Sequence, residues 1–371
     1  MASLATGLLA VLIYRSIDFN KLPMPCVLPL ADVPPAKYAV PHPWTGKFAM
    51  NNELQKSIRL FEGKIAGSES VAVAKSGDQV YLIDREGYLK IAHGNPAEPT
   101  SLELEPSARA YLGPGRPLGF HLEDNGDLLT CNCILGLTRL RRGAGFQEVL
   151  ANGVPLGNGS YADDLDVAPN GDIYFSDASA IQSALNRAGH YDALRSSILT
   201  MLQGTPSGRL LRWRAATGET EVLATGLWFP NGVALAADAS FLMLAETTSG
   251  KMLKYHIEGP RAGQLEVLID SLPGYPDGVS LAPDGNFWAA VFSEHAPLLN
   301  LGRPLAQGAL GPGLALRRMG IAIKFDAEGN VLKTLVDPDG TKVSAVTAIT
   351  EHEGWLYLGT LVNNFVGAYK L

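Results

Sequence analysis

Acidic and amide side chains stand directly before four apolar, strand-like segments of this 371-residue sequence. They are Glu69 in GSESVAV, Asp163 with Asp164 in YADDLDV, Asn231 in FPNGVAL and Asp277 in YPDGVSL. Three or four carboxylates gathered in one buried place would repel one another, so a bound cation must compensate their charge. All donor atoms are oxygens, and no histidine or cysteine joins them. The set therefore favours a hard ion, calcium before magnesium, over zinc.

Whether these side chains converge depends on the elements that carry them, and one such element recurs six times. Each unit contains a short apolar strand, a turn with Gly, Asp or Asn, and a second apolar or aromatic strand. The units lie at 71–84, 121–132, 165–177, 233–246, 279–294 and 349–360. Their turns centre near residues 77, 125, 170, 238, 284 and 353, a period in the forties with two longer gaps. This period is typical of a β-propeller with four strands per blade.

We therefore expect an all-β, six-bladed propeller. The innermost strand of each blade starts at the top of the central channel, so the four candidate positions should meet there. Asn-Gly and Asp-Gly pairs are also common in turns. PNG at 169–171 and PDG at 283–285 follow an inner strand and are interpreted as hairpin turns, whereas the candidates precede one.

The two long gaps predict insertions at 178–207 and 295–319. The first contains a stretch with helical periodicity, 183–204, and the second is rich in Leu, Gly and Pro. Both follow second strands, so both are expected over the top mouth as a pair of lids, with surface elaboration as the alternative. The corners after the second strands are also expected to line the mouth; they hold Asp84, Asp177, Glu246, Glu294, His295 and Asn363.

The N-terminal region differs in composition from the repeats. We divide the chain into an apolar segment at 1–22, a proline-rich linker at 23–45 and the propeller at 46–371. Residues 2–14 are uncharged, but a membrane-spanning helix needs about 20 apolar residues. Three interpretations stay open: a short membrane anchor, a signal peptide, or a helix packed on a partner or on the domain.

Composition and missing motifs exclude several functions. The net charge of −7 leaves no basic surplus for nucleic acid. The sequence has no G-x-S-x-G nucleophile elbow, no H-E-x-x-H motif and no Gly-rich phosphate loop. Nothing in it indicates the oligomeric state.

Residues 60–371 resemble a known family. The resemblance rests on GKIAGSESVAV (63–73), RPLGF (116–120), NGDIYFSDAS (170–179), SGRLLRW (207–213), FPNGVAL (229–235), AETTSGKMLKYHIEGP (245–260), LPGYPDGV (272–279) and HEGWLYLGTL (352–361). The chain resembles the strictosidine synthase-like branch, with the adipocyte plasma membrane-associated protein, of the calcium-dependent six-bladed propellers. Gluconolactonase, the senescence marker protein and the paraoxonases belong to the same superfamily.

The resemblance implies a calcium ion at the channel top. Glu69, Asn231 and Asp277 match the ligand positions of that family. Asp163 stands where the family more often has asparagine, a departure that adds a negative charge. Asp164 would serve a second, structural ion or orient the ligands of the first.

Two further positions bear on the type of reaction. Alignment on EHEGWLY places Thr347 where strictosidine synthase has its catalytic glutamate, with Glu351 the nearest acid. The strictosidine-type condensation is therefore disfavoured. The paraoxonase-type histidine pair is also missing, because Leu118 occupies the nearest matching position and His121 lies further into a strand.

These observations favour a calcium-dependent hydrolase of the lactonase or arylesterase type. Asp277 is the candidate general base or nucleophile, and His295 is a candidate for proton transfer, with a plain loop histidine as the alternative. The apolar residues of both insertions suggest a small hydrophobic ester or lactone as substrate. A biosynthetic lyase or cyclase that uses the same site, and a calcium-stabilised propeller that binds without turnover, remain the alternatives.

Overall fold

A computed structural model describes residues 42–152, 161–186, 188–295 and 318–371 of the chain. Their strands form six antiparallel sheets of at least four strands each, arranged as the blades of a propeller. The predicted all-β, six-bladed propeller is confirmed. Each blade is numbered by the order of its innermost strand along the chain.

The first three blades use the N-terminal half of the chain. Blade 1 contains β2 (Val71–Val73), β3 (Gln79–Ile83), β4 (Tyr88–His93), β5 (Glu103–Leu104) and β6 (Ala110–Tyr111). Blade 2 contains β7 (Pro117–Leu122), β8 (Leu128–Asn132), β9 (Gly136–Leu140) and β10 (Glu148–Ala151). Blade 3 contains β11 (Ala162–Val167), β12 (Ile173–Asp177), β13 (Gly208–Trp213) and β14 (Thr220–Leu227).

The other three blades use the C-terminal half and one N-terminal strand. Blade 4 contains β15 (Pro230–Leu235), β16 (Phe241–Glu246), β17 (Lys251–His256) and β18 (Leu265–Ile269). Blade 5 contains β19 (Gly274–Leu281), β20 (Phe287–Glu294), β21 (Gly320–Phe325) and β22 (Val331–Asp337). Blade 6 contains β23 (Val346–His352), β24 (Trp355–Thr360), β25 (Val366–Lys370) and β1 (Ile58–Leu60).

Both ends of the described chain close the ring. The strand β1 pairs with β25 in antiparallel register, with Ile58 opposite Ala368. A closed ring leaves no blade face exposed, and the apolar residues of neighbouring blades pack against each other. Blades 4 and 5 share one such core, which includes Met243, Phe287 and Ile321.

The hairpin turns within the blades are formed as the sequence indicated. PNG at 169–171 and PDG at 283–285 are turns, and their glycines Gly171 and Gly285 have φ of 84° and 82°. Glycine reaches this left-handed region without steric cost, which explains its place at these corners.

The first insertion carries a helix, α1 (Ala193–Gln203), that is shorter than the stretch predicted from periodicity. The side chain of Asp192 accepts a hydrogen bond from Arg195 N and caps its first turn, and Gly204 ends it with φ of 63°. Residues before the helix form a hairpin-like turn, because the Asn186 side chain accepts hydrogen bonds from the backbone of residues 188 and 190. The second insertion lies outside the described residues from 296 to 317.

The predicted apolar segment at 1–22 also lies outside the described residues, as does the linker up to residue 41. Between residue 42 and β1 the chain forms two short 3₁₀ turns, Gly46–Phe48 and Glu53–Lys56. Within the described ranges, no helix is long and apolar enough to cross a membrane. The division of the chain at residues 22 and 45 remains a prediction.

Candidate functional site

β-Bulges at the starts of the inner strands carry the candidate residues. The pairing of β15 with β16 shifts after Pro230, and the pairing of β19 with β20 shifts after Pro276. A bulge leaves the extra residue outside the regular ladder and re-aims its side chain. In blades 4 and 5 the residues that follow the prolines are Asn231 and Asp277, and both line the cavity at the top of the channel.

The same shift recurs in blades 2, 3 and 6. The shift lies near the start of each inner strand. We call the position directly after the pair that precedes the shift the bulge slot; it holds Leu118, Asp163 and Thr347 in these three blades. Glu69 takes the corresponding place in blade 1, just before β2. The candidates in blades 3, 4 and 5 thus lie inside the inner strands, whereas the sequence placed them before these strands.

Glycines after the bulge slots allow the inner strands to approach closely. A Cβ on Gly232 would lie 2.2 Å from Val279 N, and one on Gly278 would lie 2.5 Å from Thr347 O. Both distances are too short for any side chain. The Asn-Gly and Asp-Gly pairs therefore serve strand packing around the channel and do not form turns here.

The structure places all four predicted metal ligands in the wall of one cavity. Glu69, Asp163, Asn231 and Asp277 are each buried. The other lining residues are almost all apolar: Leu118, Tyr161, Ala193, Leu194, Ser197, Ile198, Met201, Phe229, Thr247, Tyr275, Phe292 and Leu361. Five of these belong to α1, so the helix of the first insertion covers the cavity as the sequence predicted for that insertion.

Mutual repulsion and burial set the electrostatics of the cavity. Burial, followed by the charge of Asp163, raises the pKa of Glu69 well above its usual value. Burial and the charge of Asp277 do the same to the pKa of Asp163. Burial also raises the pKa of Asp277, although a hydrogen bond from the Asn231 side chain lowers it in part. These carboxylates are ionised together only if a positive charge joins them.

Two buried carboxylate oxygens, Glu69 Oε2 and Asp277 Oδ1, have no hydrogen-bond partner among the described residues. Buried oxygens of this kind require a donor, water or a cation, and the donor set suits a hard ion. In the described ranges, no three carboxylate, imidazole or thiol groups stand close enough to bind an ion on their own. The Asn231 amide oxygen, together with water or substrate oxygens, would complete the coordination.

Arg116 is a residue of this site that sequence reasoning missed. Its guanidinium is buried, and Nη2 donates a hydrogen bond of 2.6 Å to Gly67 O, two residues before Glu69. Burial lowers the pKa of Arg116, and the charge of Glu69 raises it. The signal was present in the motif RPLGF, because Arg116 precedes Pro117 as Phe229 precedes Pro230.

Asp164 contacts its neighbouring blade. Its Oδ2 accepts a hydrogen bond of 3.1 Å from Val233 N, which ties blade 3 to blade 4. Burial raises the pKa of Asp164 to about 7. This contact fits the predicted role of orienting the ligands, and the second structural ion near Asp164 remains a prediction.

His295 is not among the residues that line the cavity. It lies behind the wall, with its ring 4.4 Å from the ring of Tyr275, and the tight fit leaves no room for a side chain at Gly250. Burial lowers the pKa of His295 to about 4. Tyr275 lies between His295 and the cavity, so His295 could exchange a proton with a substrate only by way of Tyr275. The structure therefore separates His295 from Glu69, Asp163, Asn231 and Asp277.

None of the six corner residues predicted at the mouth lines the cavity, although Thr247 and Leu361, which directly follow two second strands, do so. Asp177 Oδ1 accepts a hydrogen bond from Tyr161 N, and Glu246 Oε1 accepts one from Trp228 N. Asn363 Nδ2 donates to Ser344 O. Each of these bonds ties the end of a second strand to the segment that enters the same blade.

The structure also locates the acid nearest to Thr347. Thr347 is buried and donates a hydrogen bond of 2.9 Å to Glu69 O. Glu351 Oε2 accepts from Trp288 Nε1 and Lys324 Nζ, and Glu351 is not among the cavity residues. At the register shift of blade 6 the chain therefore carries the hydroxyl of Thr347 and not a carboxylate.

Comparisons with known proteins agree with this architecture. The family described as Strictosidine synthase matches residues 163–260. STRICTOSIDINE SYNTHASE-LIKE 3 from Arabidopsis thaliana is 31% identical over 352 residues, which are 86% of this chain and 86% of that protein. The adipocyte plasma membrane-associated protein from Gallus gallus is 29% identical over 365 residues, 90% of this chain and 83% of that protein.

Solved structures with a similar fold are more distant in sequence. A gluconolactonase from Xanthomonas campestris has a TM-score of 0.57 at 15% identity, over 84% of this chain and 88% of that one. The calcium-binding protein regucalcin from Agrobacterium tumefaciens has a TM-score of 0.56 at 14% identity, over 84% and 92% of the two chains. At these identities the likeness shows the fold.

Proposed function

The chain belongs to the strictosidine synthase-like family of six-bladed propellers, and on this basis we propose that it is a calcium-dependent hydrolase of hydrophobic lactones or esters. The observation that carries the proposal is the cavity itself. Three buried carboxylates and one amide converge there under an apolar cover. A similarly folded protein is described as calcium-binding and another as a gluconolactonase, which supports the choice of ion and reaction.

Glu69, Asp163, Asn231 and Asp277 would hold the ion. The unpartnered oxygens of Glu69 and Asp277, and the repulsion that raises the carboxylate pKa values, are what a divalent cation would relieve. Bound there, calcium supplies a Lewis acid for the substrate carbonyl. The extra charge of Asp163 strengthens the attraction for the cation relative to an asparagine.

Asp277 is the residue to which we assign the proton transfer. Its Oδ1 is buried at the cavity wall and has no partner among the described residues. In the proposed reaction the Asp277 carboxylate accepts a proton from the attacking water as the water adds to the carbonyl carbon, and it returns this proton to the leaving alkoxide oxygen as the C–O bond breaks. Direct attack by Asp277 is the alternative, and a single turnover in ¹⁸O-labelled water separates the two, because only direct attack leaves the label in the aspartate.

The cavity wall defines the class of substrate. Among the described residues the wall includes no lysine, arginine or histidine, and outside the four candidate ligands its hydroxyl groups belong to Ser197, Thr247 and two tyrosines. Such a wall offers nothing to an anionic group and little to a polyol. The proposed substrate is therefore neutral and apolar around its lactone or ester carbonyl.

Hydrolysis of a substrate panel tests the proposal. We expect turnover of phenyl acetate and of alkyl-substituted γ- and δ-lactones, little turnover of gluconolactone, loss of activity with EDTA and recovery with calcium. Asp277→Asn should lower kcat/KM at least 10³-fold. The matched control is Asp284→Asn, which makes the same change in the second Pro-Asp-Gly tripeptide, at 283–285. This aspartate lies in an exposed turn, and the variant should keep full activity.

Two outcomes would contradict the proposal. Activity that is indifferent to EDTA would eliminate the metal-dependent mechanism. No turnover of any ester or lactone, together with a calcium-dependent rise in melting temperature, would favour a propeller that binds its ligand without turnover.

We also propose that residues 2–14 associate with a membrane. The run is uncharged and ends at Arg15, and a relative is described as plasma membrane-associated. Sedimentation with liposomes of the full chain and of a variant without residues 2–14 tests this. Equal recovery of both with the liposomes would contradict it.

A further inference from the structure

A second group of buried oxygens lies far along the chain from the central cavity, where β22 of blade 5 ends. Asp337 is fully buried, and its Oδ2 accepts hydrogen bonds of 2.7 and 3.0 Å from the backbone N of Lys342 and Val343. Its other oxygen, Oδ1, is buried without a partner in the described part of the chain. A buried carboxylate with one unsatisfied oxygen calls for a further ligand.

A second carboxylate stands at the same place. Asp339 lies in the sequence Asp-Pro-Asp-Gly-Thr, and its side chain is within hydrogen-bonding reach of that of Asp337. Asp339 is exposed, so this side of the pair opens to solvent. Its Oδ1 accepts from Thr341 N at 3.2 Å and from Gln55 Nε2 at 3.1 Å.

The N-terminal segment that contacts this loop carries a buried hydroxyl group. Gln55 and Arg59 both contact this loop, Arg59 through hydrogen bonds to Thr341 O and Lys342 O. Ser57 lies between them, and its hydroxyl is buried with no partner among the described residues. We call residues 55–59 and 337–343 together the closure junction, because this segment leads into β1, which completes the ring.

The charges of the closure junction point to a cation. Two carboxylates within reach of one another repel, and in the described part of the chain the buried one pairs with no cationic side chain. The guanidinium of Arg59 is already engaged with two carbonyl groups and with Glu62. Water could fill the space but would not balance the charge.

We propose that the closure junction binds a calcium ion through Asp337, Asp339 and Ser57, and that this ion fastens the N-terminal segment to the loop between blades 5 and 6. The donors are all oxygens, which suits a hard ion, and the exposed side would be completed by water. Two carboxylates make a site of low charge, so we expect a dissociation constant of roughly 10⁻⁴–10⁻³ M. The proposal does not depend on the hydrolase activity.

Equilibrium dialysis of the full chain against calcium, after removal of ions with EGTA, tests it. We expect Asp339→Asn to bind one ion fewer than the unmodified protein and to keep its kcat/KM. The matched control is Asp326→Asn, which changes an aspartate whose Oδ1 caps another turn of blade 5. It should bind as many ions as the unmodified protein.

Melting temperatures provide the second measurement. In an Asp277→Asn background, calcium at ten times the dissociation constant should raise the melting temperature by about 3 °C, and Asp339→Asn should remove this rise. Ser57→Ala should weaken the site several-fold without lowering stability in the absence of calcium. If the central cavity binds no ion, the unmodified protein should bind one ion and Asp339→Asn none. That result would support the closure-junction site and refute the calcium-dependent hydrolase.

Equal ion counts for the unmodified protein and Asp339→Asn would overturn the proposal and leave buried water as the explanation. A calcium-independent gain in stability on acidification from pH 7 to 5 that Asp339→Asn removes would overturn it in favour of a proton shared between the two carboxyl groups.

Discussion

The two halves of the ring use the same bulge for different purposes. In blades 3, 4 and 5 the slot holds Asp163, Asn231 and Asp277, and the residues two positions earlier are the aromatic Tyr161, Phe229 and Tyr275. In blades 6, 1 and 2 the slot holds Thr347, Glu69 and Leu118, and the earlier residues are Ala345, Gly67 and Arg116. Blades 3 to 5 thus supply most of the oxygen donors and an aromatic wall. Blades 6, 1 and 2 supply the carboxylate of Glu69 and the buried guanidinium of Arg116.

This difference teaches how a repeat can be specialised without changing its backbone. The bulge places the slot side chain in the cavity wall in blades 2 to 5, whereas Thr347 of blade 6 donates a hydrogen bond to Glu69 O. The residue type decides what each of these side chains does. Arg116 occupies space next to Gly67, where a Cβ would lie 3.1 Å from Nη2. A glycine in blade 1 therefore accommodates the guanidinium of blade 2.

The largest effect should come from exchanging slot residues between the halves. Asn231→Leu places the residue type of blade 2 in blade 4, removes an oxygen donor and should lower kcat/KM at least 10²-fold, with loss of calcium affinity. Thr347→Val changes a slot of the other half and removes only a hydrogen bond to a backbone carbonyl. Calorimetric titration should show its calcium affinity within twofold of the unmodified protein; equal losses in both variants would abolish the distinction.

A large loss of stability is expected for Arg116→Met. Removing a buried charged partner leaves Gly67 O unsatisfied and the acidic cluster without its fixed counter-charge, at a cost of about 3–5 kcal/mol. The melting temperature without calcium should fall by roughly 10 °C, and calcium should restore part of it. Arg212→Met, which removes a half-exposed guanidinium from blade 3, is the control and should shift it by less than about 3 °C.

A smaller effect should follow Asp163→Asn. The change keeps an oxygen donor in the slot and removes one of the negative charges of the aromatic half. We expect calcium affinity to fall about tenfold, a difference of one charge in a partly screened site, while activity at saturating calcium stays within about threefold. An unchanged affinity would indicate that Asp163 does not contribute its charge to the ion.

The smallest effect concerns His295, which lies outside the bulge slots. Burial lowers the pKa of His295 to about 4 in the folded protein. In the unfolded chain the imidazole has its ordinary pKa of about 6.5, so it is protonated there at pH values at which the folded protein keeps it neutral. Stability from this group is therefore complete above pH 6.5 and is lost as the pH falls toward 4. His295→Phe should reduce the loss of stability between pH 6.5 and 4 in thermal melts and leave the pH profile of kcat/KM at neutral pH unchanged; loss of an inflection from that profile would contradict this.

The repeat made the fold and the position of the candidate ligands predictable. Two hairpin strands and a glycine turn recur along the chain, and residues at the same place in each unit must converge in a closed ring. Glu69, Asp163, Asn231 and Asp277 could be found in this way because each replaces an apolar residue at the start of an inner strand. Their family resemblance pointed to the same positions.

Other features depend on contacts that no local pattern specifies. Arg116 was missed although RPLGF marks its position, because its role depends on a contact with Gly67 in another blade. His295 was a candidate because it follows a second strand, but the side chain turns behind Tyr275. Periodicity extended α1 too far because the Asn186 turn interrupts the helix with backbone hydrogen bonds that an apolar pattern does not register.

The pairing of β1 with β25 has a consequence for synthesis. Ile58 can form its strand pair only after Ala368, 310 positions later, has been synthesised. At about 5–20 residues per second, the ribosome needs roughly 15–60 s to make the intervening chain. Blades 1 to 5 can assemble during this time, whereas β1 stays without its neighbour until β25 emerges. Protection of the nascent N-terminal strand, by a chaperone or by early contacts with blade 5, is thus a requirement that the architecture places on the cell.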